Sequence, residues 1–230
     1  MSTPLPGKPP QRLTRKQQRR QELIDASLLR AIKPTRASGA AVVMAIALAL
    51  LWLILGIDAV LDHHPLLRLG IKPRQIGGLP GILLAPALHA NAGQLAALSI
   101  PFVVLGWLML TSGLRYLGIV TAAAALAGGL TGWLAGPAHA VIVGASGVVL
   151  GWLGYLLARA VFGRKVLWIA VAIAVVTVFS GLFNGLLPHV RQHEFWGSQL
   201  ASFAVGALLG AALHRRNRQP RPKRNRLARG

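Results

Sequence analysis

Apolar and polar positions divide the chain into six long apolar runs separated by polar connections. The runs cover roughly residues 39–60, 93–112, 116–136, 141–162, 166–187 and 196–213. As helices, most are long enough to cross a hydrocarbon layer of about 30 Å. The pattern predicts an all-α polytopic membrane protein built as a six-helix bundle. A hydrophilic tail (1–37) precedes the membrane domain (38–213), and a second tail (214–230) follows it. No small-residue cleavage site follows the first run, so it is expected to be a retained helix and not a signal peptide. No internal repeat of about 20 to 50 residues is visible.

Composition agrees with this reading. Hydrophobic residues make up 54% of the chain and charged residues 13%, with a mean hydropathy of +0.56. A soluble domain carries nearly twice that charge. There are no cysteines, which excludes disulfides, cysteine-type zinc sites and cysteine nucleophiles. No metal or cofactor is expected.

The net charge of +20 acquires meaning from its placement. About 21 of the 25 Lys and Arg fall in the two tails and in the connections at 112–116 and 159–165. The positive-inside rule then places both termini in the cytoplasm, with the long 61–92 loop, "GPAH" and "PHVRQHE" outside. The expected location is the plasma membrane, crossed several times. The tails are expected to rest on anionic lipid. They lack the interleaved aromatics of a base-stacking surface, so no specific nucleic acid is expected. Oligomeric state is left open.

The fourth run opens with "GASG", in which Ser146 stands between Ala145 and Gly147, with Gly144 before them. Gly147 and Gly151 are one helical turn apart, and the last run offers Ser202, Gly206 and Gly210 at the same spacing. Small residues at this interval allow helices to approach closely in a membrane. The two seams predict that the fourth and sixth helices pack together, with Ser146 facing the residues just above Ser202.

With these features in view, "LRLGIKPR", "APALHANAGQLAALSIPFVVLGWL", "GASGVVLGWLGYLLAR" and the closing "W…QLASFAVG…LHRR" together resemble the rhomboid intramembrane serine proteases, over residues 66 to 216. The resemblance implies a six-transmembrane-helix rhomboid-like bundle around a water-accessible cavity. It implies a nucleophile at Ser146 and a histidine base on the last helix. Carried over residue by residue, the base position is Gln199, three after Trp196. On the second helix the resemblance implies an oxyanion-binding histidine and asparagine; this chain has Gln94 and Leu98 there, and keeps His89 at a structural position. Leu150 replaces an aromatic that packs on the catalytic imidazole.

These departures bear on the chemistry. A serine needs a base within about 2.6–3.2 Å to act as a nucleophile. An amide does not take the proton, and loss of the histidine in a soluble serine protease costs about 10⁶ in turnover. Leu98 removes a further oxyanion donor. Of the seven histidines, His193 is six residues before Gln199, about 9 Å higher and some 240° around if the helix continues. His139 would reach Ser146 only by a reversal of its loop. Gln94, Gln199 and Ser146 are expected to hydrogen-bond one another or a cavity water. Two functions stay open: a pseudoprotease that binds transmembrane segments of client proteins, and an active intramembrane serine endopeptidase that uses Ser146 with an unorthodox base. The five acidic residues lie at helix ends or outside the membrane, which argues against a cation-coupled transporter.

Overall fold

In a computed structural model, residues 37–163, 190–191 and 194–216 are described. Five long helices carry them: α1 (Ala37–Val60), α2 (Ala92–Leu110), α3 (Leu114–Ala135), α4 (Ser146–Gly163) and α5 (Trp196–Arg216). Four are long and apolar enough to cross a membrane, and α4 gives a shorter apolar helix at Ser146–Val161. The fifth predicted run, 166–187, lies outside the described residues, as do most of both tails.

The helices end where the sequence supplies stops. Asn91 caps α2 by accepting from the Gln94 backbone N–H at 2.9 Å, which satisfies one of the N–H groups a helix start leaves unpaired. Gly113 takes φ 113° in the turn before α3, a conformation that favours glycine.

α4 begins at Ser146, five residues later than its apolar run. Residues 141–145 are as apolar as the helix, but their backbone groups are engaged elsewhere. Ile71 and Ile142 exchange both backbone hydrogen bonds, at 3.0 and 2.9 Å, and Gly144 N–H donates to Ala85 O at 2.8 Å. Gly144 has φ 119°. The segment is therefore not helical until Ser146: it makes one bridge at Ile142 and turns at Gly144 and Ala145.

The connection between α1 and α2 contains four short helical turns, at Leu67–Leu69, Ile76–Gly78, Gly81–Leu84 and Ala85–Ala87. Its first end is tied down by Asp58, which accepts from Leu66 N–H at 2.7 Å and lies 3.3 Å from His64 Nδ1. Farther along, Arg74 donates to Leu134 O and Gly136 O at 3.2 and 2.9 Å, satisfying carbonyls at the end of α3. Near its far end, Ala85 and Pro86 line the same cavity as Ser146.

The main apolar core lies between α2 and α4, with Leu95, Leu105, Met109, Val149 and Leu153 fully buried. α1 contributes Ala40, Met44 and Leu51 to it, while Val42, Ile46, Leu50 and Leu53 are exposed, as expected of a helix with a lipid-facing side. Within this all-α architecture, a short antiparallel pair, β1 (Val190–Arg191) with β2 (Glu194–Phe195), places Val190 opposite Phe195 immediately before α5.

Candidate functional site

The site is set by how closely α5 lies against its neighbours. A Cβ at Gly206 would overlap the Gly151 carbonyl oxygen, and one at Gly210 would come within 2.6 Å of Tyr155 O. From the α4 side, a Cβ at Gly151 would meet Ala124 Cβ at 2.5 Å and Ser202 O at 3.2 Å, and one at Gly147 would meet Ser202 Oγ at 3.0 Å. Each glycine leaves room for a neighbouring backbone or hydroxyl.

A second small-residue seam, absent from the sequence reading, runs along α3. Gly128 faces Ser202 Oγ, and a Cβ at Gly132 would be 2.6 Å from Ser198 Oγ. Its signal was available, because Gly128 and Gly132 stand four apart like the glycines of the other seams. Ser202 is 1% exposed and donates to Ala124 O at 2.8 Å. The hydroxyl thus links α5 to α3.

Ser146 is the first residue of α4, where the leading N–H groups of a helix have no intrahelical partner. The loop before it is held from three directions. Gly144 N–H donates to Ala85 O. Ala145 N–H approaches the Nε2 of buried His89 at 3.4 Å. Gln94 accepts from Ala90 N–H at 2.8 Å and donates from Nε2 to Val143 O at 3.5 Å. A Cβ at Gly144 would come within 2.9 Å of Gln94 Nε2, so the close approach reinforces the demand for glycine there.

From α5, Gln199 Nε2 donates to Ser146 Oγ at 3.2 Å. Gln199 is 4% exposed, and its Oε1 has no hydrogen-bond partner among the described residues. Both side chains line a small, partly open cavity, together with Ser198, Gly129, Phe195 and Pro86.

Other sequence-identified positions fall elsewhere. Leu98, the position implied for an oxyanion donor, is buried in the apolar core beside Leu95 and Phe102 and is not in the described cavity lining. Leu150 is buried in the same core. His63, His64 and His139 are exposed, while His189 and His193 lie outside the described residues. Among those described, no histidine lines the cavity, and His89 supports the loop through Ala145.

This arrangement offers Ser146 a hydrogen-bond donor. If the Gln199 amide is turned over, its oxygen accepts from the hydroxyl instead, yet an amide oxygen remains too weak a base to take the proton. No cluster of three or more potential metal ligands occurs among the described residues.

Comparison with known proteins gives a match to the Rhomboid domain over residues 77–216. Uncharacterized proteins of Mycobacterium tuberculosis (strain H37Rv) and Mycobacterium bovis are each 35% identical over 159 residues, covering 66% of this chain and 66% of theirs. An uncharacterized protein of Mycobacterium leprae is 36% identical over 146 residues, covering 61% of this chain and 57% of its own. The matched region thus spans at most 66% of these relatives' length. No solved structure matches the chain.

Proposed function

Given that the chain belongs to the rhomboid family, we propose that it is a pseudoprotease, a member without proteolytic activity that binds transmembrane segments of client proteins. The observation that carries this reading is the Gln199–Ser146 hydrogen bond. An amide stands where the resemblance implies a base, so among the described residues the hydroxyl has a hydrogen-bond partner but no base to take its proton.

Other substitutions support the same reading. Leu98 brings a hydrocarbon side chain to a position where the resemblance implies an oxyanion donor. Leu150 offers no aromatic face to an imidazole. A mostly apolar cavity nevertheless lies beside Ser146, with the polar side chains of Ser146, Ser198 and Gln199 in its lining. Inside a bilayer, a locally unwound client segment carries backbone groups that need partners, and such a cavity supplies them without a proton relay.

In this proposal the protein resides in the plasma membrane with both basic tails in the cytoplasm, where residues 1–37 and 214–230 rest on anionic lipid. Cleavage tests the loss of proteolysis. Purified protein in proteoliposomes, mixed with a model transmembrane rhomboid substrate, should leave it as intact as the Ser146→Ala variant does. Cleavage that depends on Ser146 would return the protein to the active endopeptidases.

A further inference from the structure

At the end of the bundle opposite Ser146, the turn between α2 and α3 meets the last turns of α4. Arg159 donates from Nη1 to Ser112 Oγ, and Ser112 also hydrogen-bonds the Tyr155 side chain. The Tyr116 and Tyr155 rings lie 6.5 Å apart, and the Arg159 guanidinium interacts electrostatically with both. Arg159 is half-buried, while Arg115, next to Tyr116 in the chain, is exposed.

Among the described residues, charge at this end has one sign. Because α5 runs alongside α4, with Gly206 at Gly151 and Gly210 at Tyr155, its closing Arg215 and Arg216 arrive at the same end. The described acidic residues stand at the other end. Asp58 and Asp62 lie by the C-terminal end of α1, which packs beside the start of α2, and Glu194 precedes α5.

Arg115 also heads an apolar stripe. Ile119, Ala122, Leu126 and Leu130 follow it at helical spacing along α3, and all are exposed. Gly118 leaves further space there, with nothing within 4 Å of a built Cβ. A cation at the head of an exposed hydrocarbon stripe matches an amphiphile with its anionic group uppermost. The planar guanidinium fork suits phosphate oxygens, and a phenol adds a neutral donor.

From this placement we infer that Arg115, Arg159 and Tyr116 bind the phosphate of an anionic phospholipid whose acyl chain lies along the exposed stripe of α3. This is a discrete site in the helical bundle, separate from the contact of the tails with lipid. In the orientation proposed above it faces the cytoplasmic leaflet. A zwitterionic choline headgroup brings its own ammonium to the arginines, so a net anionic lipid is favoured.

The test uses the full chain in detergent with equimolar phosphatidylglycerol and phosphatidylcholine of matched acyl chains, and native mass spectrometry reads the lipid retained. Phosphatidylglycerol should be retained in excess. Arg115→Gln and Arg159→Gln should each lower the ratio about fivefold, the factor for roughly one charge at a membrane surface. Arg224→Gln, in the C-terminal tail, removes the same charge and should change the ratio much less. Arg115 is exposed, so Arg115→Gln keeps the test available if Arg159→Gln does not fold. Equal retention of the two lipids, or a ratio that Arg115→Gln lowers no more than Arg224→Gln does, overturns the inference. Excess inorganic phosphate should leave the lipid bound; its release would assign the cluster to a soluble anion and overturn the inference as well.

Discussion

Gly206 lies against the carbonyl oxygen of Gly151 so closely that a methyl group has no room between them. This contact sets the α4–α5 distance and, farther along the same seam, the approach of Gln199 to Ser146. Gly206→Leu should therefore force the helices apart, lowering stability by about 1–3 kcal/mol or more, read as a fall in melting temperature in detergent. Gly118 has nothing within 4 Å of a built Cβ. Gly118→Ala should be neutral or stabilise by up to about 1 kcal/mol. If Gly206→Leu melts with wild type, the close approach is absent.

Ser202 serves two neighbours, donating to Ala124 O while sitting in the space left by Gly128 and Gly147. Ser202→Ala should cost about 0.6–1.7 kcal/mol, the range for hydrogen bonds between membrane helices. Ser202→Val should cost more, because it adds volume against both glycines. The order of the two melting temperatures tests this; a Val variant more stable than the Ala variant contradicts it.

The long apolar runs made α1, α2, α3 and α5 legible, since length and hydropathy alone identify a span. The start of α4 was not legible, because Val141, Ile142 and Val143 look helical in isolation. What takes Ile142 out of a helix is its bridge to Ile71, a partner some 70 residues away in sequence. Of the site, the positions Ser146 and Gln199 came from the resemblance to rhomboid proteases, and the structure brings these two side chains within hydrogen-bond distance. Gln94 and Leu98 share a helical face, yet Leu98 lies one turn farther along in apolar core, which spacing alone does not reveal. Gly128 and Gly132 on α3 carry the same four-residue spacing as the other seams and meet Ser202 and Ser198 of α5.

Restoring chemistry should be difficult for the same reason. Gln199→His supplies an imidazole near Ser146, and Gln94→His a second donor near the loop. These groups act as a unit, so each alone should recover little. The triple variant with Leu98→Asn should recover weak labelling by a serine probe at most. It should also melt below wild type, because the Leu98→Asn change buries an amide among Leu95 and Phe102. Stability unchanged in the triple variant would contradict the apolar placement of Leu98.

The central claim is that Ser146 is an ordinary hydroxyl hydrogen-bonded to an amide. Purified full-length protein should be exposed to a fluorophosphonate probe for activated serines, beside a Ser146→Ala control and an active rhomboid protease. The account predicts labelling no greater than the Ser146→Ala background, with the active protease clearly labelled. Labelling of the wild type that disappears with Ser146→Ala would contradict it, and would require that a base other than Gln199 reaches the serine.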